Sequence, residues 1–204
     1  MPNENRLYRT ACNPLLIQPA RPLPDSVAVI GAGTIGPDIG YYLKSAMPAC
    51  KLVLVDIAEE PLKKAEQRII GYTNKAVDKK KMKPDKAEAV RQNIVYTTDY
   101  ERIKNCKLVV EAATEDIPLK QKIFNLLENI VSDETIITSN TSSIPADRLF
   151  LNMKKPGRAT VTHFFAPAWR SLPVEVISWD GGSQEVLDYL FWFFAKTGKT
   201  PIIT

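Results

Sequence analysis

The chain has 204 residues, a formal net charge of +4 at neutral pH, 45% hydrophobic and 25% charged residues. That length carries one good-sized domain with its own core and is marginal for two. The mild positive balance suits an anionic ligand and is too weak for a nucleic-acid binder. No apolar run of about 18 residues could span a membrane, and Pro and polar residues interrupt the N-terminus where a signal peptide would be apolar, so a cytoplasmic protein is expected.

Residues 1–25 hold Pro2, Pro14, Pro19, Pro22 and Pro24 and sustain no period, which predicts an extended Pro-rich arm. Regular structure begins at Ser26. Val27-Ala28-Val29-Ile30 is a short apolar run ending at a glycine, as in a strand buried on both faces of a parallel sheet. A helix over 34–47 and a strand over 51–56 complete a βαβ unit. Residues 60–92 have helical spacing split by Pro84, which predicts a helical hairpin inserted after the second strand. Strands at 94–98 and 107–111, a helix at 117–131, a strand at 135–138, a short helix near 145–151, strands at 159–164 and 174–177, a helix at 183–196 and a strand at 200–203 follow. The fold class expected for 26–204 is α/β, a Rossmann-type doubly wound and mostly parallel sheet.

Gly31-Ala32-Gly33-Thr34-Ile35-Gly36 is a G-x-G-x-x-G between a predicted strand and a predicted helix. Gly31 permits the tight turn, Gly33 the close approach of a pyrophosphate, and Gly36 the packing of helix on strand. Pro37 falls in the first helical turn, where a missing N–H costs little. Asp56 ends the second strand twenty residues after Gly36. A carboxylate there accepts hydrogen bonds from the ribose of NAD and repels a 2′-phosphate. Neither Ile57 nor Ala58 after it is basic, so NAD is the expected cofactor. A Gly-rich turn with a capping Asp is the plainer alternative.

His163 is the sole histidine, placed at a strand's end, and Glu175 interrupts the apolar run that follows. A buried carboxylate needs a partner, and an imidazole base needs a neighbour to fix its tautomer. The two suit each other if the fold brings them together. Asn140-Thr141-Ser142-Ser143 follows another strand. It reads as a polar loop with Ser142 or Ser143 as helix N-cap, as Asn140 and Ser142 bonding substrate or nicotinamide, or as both. The three cysteines, Cys12, Cys50 and Cys106, are scattered without C-x-x-C spacing or a nearby His, so free thiols and no metal site are expected.

Together these residues resemble the NAD-binding domain of the 3-hydroxyacyl-CoA dehydrogenase family. The shared pattern is the Gly-rich loop, the acidic end of the second strand, V-E-A-x-x-E at Val110–Glu115, S-N-T-S-S at Ser139–Ser143, and H-F-F-x-P at 163–167 with a Glu twelve residues on. The resemblance covers about 26–203. It implies NAD-dependent, reversible oxidation of an L-3-hydroxyacyl-CoA to the 3-ketoacyl-CoA. His163 is then the general base, Glu175 its partner, and Ser142 and Asn140 position the reacting oxygen. Ala113, Glu115, Lys120 and Asn140 join the glycine turn, Asp56 and Ile57 around the cofactor. Thr73 and Lys80 in the hairpin fall where the family meets CoA. The run Lys79-Lys80-Lys81 is set to meet CoA phosphates or is a solvated helix face.

Two departures matter. Ala166 stands where the family has Asn in H-F-F-N-P, and the family's all-helical C-terminal domain, which completes the cleft and makes a homodimer, has no counterpart before Thr204. The implied partner is an acyl-CoA, with no nucleic acid and no membrane. Two rival readings remain at this point. One is a dehydrogenase of another hydroxy acid, whose base is a Lys on a later helix. The other is a non-catalytic, crystallin-like NAD-binding module.

Overall fold

The computed structural model describes residues 13–204. The readings that fall on Pro2 and Cys12 lie outside the described residues. Eight strands form one sheet in the order β3-β2-β1-β4-β5-β6-β7-β8. In chain order the elements are β1 (Ser26–Ile30), α1 (Gly36–Ala46), β2 (Lys51–Val55), α2 (Glu59–Asp78), α3 (Pro84–Arg91), β3 (Ile94–Thr97), β4 (Leu108–Glu111), α4 (Ile117–Ile130), β5 (Ile136–Ser139), α5 (Ala146–Leu149), β6 (Ala159–Phe164), β7 (Pro173–Val176), α6 (Gln184–Lys196) and β8 (Thr200–Ile203). Strands β1 to β6 are mutually parallel. β7 runs antiparallel to β6, and β8 is parallel to β7. This is the Rossmann-like α/β fold expected, with a reversed pair of strands at one edge.

The apolar run of β1 reads directly into its place. Val27 and Val29 face a core shared with α1 and α6, while Ala28 and Ile30 face a second core against α4 and α5. All four are at most 1% exposed. A strand flanked by β2 and β4 and covered on both faces has no side left for a polar residue. The hairpin forms as Pro84 dictates, opening α3 at its first turn. It packs on α1 through Ile69 and Val90 against Tyr41.

Residues 13–25 lie across α6. A single 3-10 turn, Pro14–Leu16, packs against that helix. Arg21 pairs with Glu134 and Glu185, and the Tyr189 hydroxyl donates to the Pro22 carbonyl at 3.0 Å. Among the described residues, no helix is long and apolar enough to cross a membrane. Cys50 and Cys106 are free and buried. Burial pushes their thiols up, to about 11 and about 12, which keeps them protonated and inert.

Two lysines are buried where their ammonium groups close chain turns. Lys44, on α1, donates to the carbonyls of Pro48 and Cys50. Lys199, entering β8, donates to those of Ala168 and Ser171. Burial pushes the Lys199 ammonium down from 10.5 to about 8. Between these two values the unfolded chain binds the proton and the folded chain releases it, so this group's contribution to stability rises with pH across the window. The thiols and buried tyrosines act in the opposite sense at the alkaline end. The Lys199 part is therefore the difference between wild type and Lys199→Met in thermal melts across that window, and the wild type is expected to gain on the variant as pH rises.

Candidate functional site

The strand order reverses direction at β1, where β2 lies on one side and β4 on the other. Ligands of open α/β sheets sit outside the carboxyl ends of the strands at such a point. A crevice of about 420 Å³ opens there. Gly31, Gly33, Thr34 and Ile35 form one wall, Asp56 and Ile57 after β2 a second, and Ala112, Ala113 and Thr114 after β4 a third.

Each glycine of the turn has its own reason. Gly31 has φ +106°, and a Cβ there would stand 2.6 Å from the Ala112 carbonyl oxygen. A Cβ on Gly36 would stand 1.8 Å from the carbonyl oxygen of Gly31, so the helix can start this close to the turn only without one. Gly33 is different: nothing lies within 4 Å of its would-be Cβ. Its missing side chain leaves room on the crevice side, as a pyrophosphate against the backbone requires. No side chain caps the start of α1, which follows directly on the crevice-lining Thr34 and Ile35, so the helix's partial positive end is left available to an anion beside the turn. Asp56 is held in place beforehand. Its Oδ2 accepts from the Ala32 N–H at 2.8 Å and its Oδ1 from the Ala58 N–H at 3.2 Å. These residues fit NAD.

Next along the sheet stands a buried polar network. Glu111, the last residue of β4, is fully buried. Its Oε1 accepts from Lys120 Nζ and from the Ala113 N–H, both at 2.7 Å, and its Oε2 accepts from the Ser139 hydroxyl at 2.5 Å. Lys120 also donates to the Ala113 carbonyl at 3.1 Å and lies 3.5 Å from Glu115 Oε2. Glu115 Oε1 gathers the Thr141 hydroxyl, the Ser142 N–H and the Ser143 hydroxyl. Burial pushes the Glu115 carboxyl up, but the Thr141 hydroxyl, the Lys120 ammonium and the Ser142 N–H outweigh it and hold it below its usual value. The loops after β4 and β5 are thereby tied together through charge.

His163 and Glu175 are directly opposed residues of the antiparallel β6–β7 pair. Opposed side chains share a face of the sheet, and His163 Nδ1 lies 2.7 Å from Glu175 Oε2. Asn140 joins them from β5, its Oδ1 accepting from the Phe164 N–H at 2.9 Å. The Phe165 ring lies 4.8 Å from the imidazole. β6 is two strands from β4, so this cluster stands about 10 Å along the sheet from the nucleotide crevice. The crevice walls themselves include neither His163, Glu175, Asn140 nor Ser142.

Several expectations are corrected. Thr73 does not face a ligand: it is fully buried, and its hydroxyl donates to the carbonyls of Ile69 and Ile70 in its own helix. Lys120 is 1% exposed, with its ammonium against Glu111, the Ala113 carbonyl and Glu115, so it braces the loop after β4 that walls the crevice. Lys79, Lys80 and Lys81 are exposed, but they lie in the turn after α2, with Lys80 at φ +54°, and form no helix face. Neither Ser142 nor Ser143 caps α5, whose N-cap is Pro145; the hydroxyl that receives the N–H groups of Ser143 and Ile144 is Thr141. Two contributors were not visible in advance. Glu111 lies inside the quoted V-E-A-x-x-E, whose first Glu could have been read as an anchor. Arg68 reaches from α2 to bond the Thr34 carbonyl, Asp38 and the Tyr72 hydroxyl, tying the hairpin to the glycine turn, and nothing in its own stretch of sequence signals this.

The open glycine turn, the acid closing β2 and the parallel sheet that reverses at β1 define a dinucleotide-binding domain of dehydrogenase type. Residues 26–204 match the family model described as 3-hydroxyacyl-CoA dehydrogenase, NAD binding domain. The chain belongs to that family, and its cofactor is NAD. Solved structures agree. A 3-hydroxybutyryl-CoA dehydrogenase of Escherichia coli is 31% identical over 90% of this chain, with a TM-score of 0.86. An (S)-3-hydroxybutyryl-CoA dehydrogenase of Ralstonia eutropha is 29% identical over 88%, with a TM-score of 0.83. The dehydrogenase part of a multifunctional enzyme of C. elegans is 27% identical over 90%, with a TM-score of 0.78. This chain spans 38%, 63% and 41% of those three chains respectively.

Proposed function

We propose that this chain is the cofactor-binding and base-bearing part of an enzyme that oxidises L-3-hydroxyacyl-CoA thioesters to 3-ketoacyl-CoA, reversibly and with NAD. The observation that carries the reading is the 2.7 Å contact of His163 with Glu175 at the carboxyl end of the sheet. With Nδ1–H donating to the carboxylate, Nε2 holds the lone pair that takes the proton of the 3-hydroxyl. Glu175 stabilises the imidazolium that results. NAD, held by the glycine turn and Asp56, would supply the hydride acceptor for C3. Ser142 and Asn140 orient the reacting oxygen, and the Ala32 and Ala58 N–H groups hold Asp56 ready for the adenosine ribose. Lys80, exposed in the hairpin turn, is offered to the CoA phosphates. An all-helical C-terminal domain and a homodimer built through it belong to this reading and come from the family resemblance; the Pro-rich arm over 1–25 and a cytoplasmic setting belong to it too and rest on the sequence composition alone.

The test is reduction of acetoacetyl-CoA by NADH, followed as loss of NADH absorbance, for the 204-residue chain and for the longest natural protein that carries it. Turnover by the latter is expected. NADH binding without turnover in that form would instead indicate a nucleotide-holding module.

Asp56 gives a separate check. Asp56→Asn keeps an acceptor but removes the charge that repels a 2′-phosphate, so the preference for NADH over NADPH is expected to narrow about tenfold in fluorescence titrations of the two. An unaltered preference would mean that the selectivity lies elsewhere.

A further inference from the structure

Lys199 has no part in the chemistry assigned above, yet it sits behind it. Its side chain turns inward and is 7% exposed. Its Nζ donates to two carbonyls of one loop, those of Ala168 and Ser171. The same ammonium stands 4.4 Å from the centre of the Tyr42 ring and 5.9 Å from that of Phe164. A cation withdrawn from water is here solvated by carbonyl dipoles and aromatic faces.

The loop it holds, residues 165–172, is the connection between β6 and β7, so one end of it leaves His163 and the other leads to Glu175. The strand ladder fixes the backbone of both residues, but it leaves the torsions of the imidazole to packing. Phe165, in this loop, supplies that packing. Other ties hold the loop as well: the Pro167 carbonyl receives the N–H groups of Arg170 and Ser171, the Leu172 carbonyl receives the Thr200 N–H at 2.8 Å, and the Trp169 ring packs on Tyr41 and Tyr72, but Lys199 is the side chain that joins Ala168 to Ser171 through one charge.

We propose that Lys199 is a positioning residue for the His163–Glu175 pair, pinning the 165–172 loop so that Phe165 holds the imidazole in line with its carboxylate. The proposal rests on His163 being the base, but its main readout does not depend on turnover. His163 is the sole histidine of the chain, so in a protein labelled with nitrogen-15 histidine the imidazole N–H signals belong to one ring. The wild type is expected to show a low-field Nδ1–H proton protected by Glu175. In Lys199→Met that signal is expected to vanish or to exchange with water about tenfold faster, while Lys199→Arg, which restores charge and donors, recovers it. NADH affinity stays within about twofold in both, because the crevice is two strands away. In any form of the protein that turns over, Lys199→Met is expected to lower kcat about ten- to a hundredfold with the KM for NADH unchanged.

Near-UV circular dichroism confirms that each variant is folded. If Lys199→Met is not, Lys199→Gln replaces it, since its shorter amide reaches at most one of the two carbonyls. A folded Met or Gln variant with an unaltered Nδ1–H signal overturns the proposal. If the longest natural protein that carries this chain is inactive while the expected signal changes appear, that counts against His163 as a base and leaves the clamp standing.

Discussion

His163→Gln is expected to lower kcat/KM for acetoacetyl-CoA reduction by about a thousandfold, with NADH binding intact. The glutamine amide keeps the size of the ring and can still bond Glu175, but it has no basic nitrogen to exchange a proton with the 3-oxygen. Glu175→Gln removes the charge that stabilises the imidazolium and leaves the ring in place, so a smaller loss is expected there. The two together should cost no more than His163→Gln alone, because they act as one unit. Steady-state rates with NADH titrations on the same preparations check this. A His163→Gln protein that turns over normally would remove the base from the mechanism, and additive losses would separate Glu175 from it.

Lys120→Met is expected to be the most damaging single change to stability. The side chain is nearly isosteric, so packing is kept, but Glu111 would be left fully buried with the charge of its carboxylate uncompensated. Breaking a buried pair from one side costs about 3–5 kcal/mol, a large part of what holds a domain of this size together. The Ala113 carbonyl would lose a donor as well, and the loop that walls the nucleotide crevice would loosen. Urea unfolding should show the loss. Lys120→Met with Glu111→Gln should recover part of it, because the orphaned charge then goes too. A single variant as stable as wild type would show that the pair breaks even with water.

The nucleotide half of the site was legible because its signals are local. Strand, glycine turn, helix and Asp56 lie within about thirty residues, and steric needs written into Gly31 and Gly36 do not depend on distant packing. The catalytic pair was half legible. A histidine and a glutamate twelve residues apart fit many arrangements, and only the antiparallel turn of β7, in a sheet otherwise parallel up to that point, makes them neighbours. The one hint of that reversal is that no helix separates the two strands, a connection too short for a parallel crossover between neighbours. The buried lysines were not legible at all. Lys120 falls in a helix whose polar positions read as solvent-facing, and Lys199 follows a glycine at the end of α6 as any surface lysine might. What buries them is tertiary: a carboxylate arriving from β4 in one case, two carbonyls from a loop in the other. Thr73 failed in the opposite sense, since a helix position assigned to a ligand turned out to be fully buried, with its hydroxyl spent on its own helix.

Because His163 and Glu175 meet as rungs of one ladder, their alignment is quantised. Sliding β7 by a single residue along β6 would swing the acid to the reverse side of the sheet, where it would be stranded among the aromatic side chains around Phe164 and Phe194. Register itself has no intermediate setting, so mutations that shift the pairing of these two strands, unlike those that only free the imidazole's torsions, should leave each molecule either in register and able to do chemistry or out of register and unable. Falling activity would then mirror a shrinking population, with the Michaelis constant of the survivors untouched.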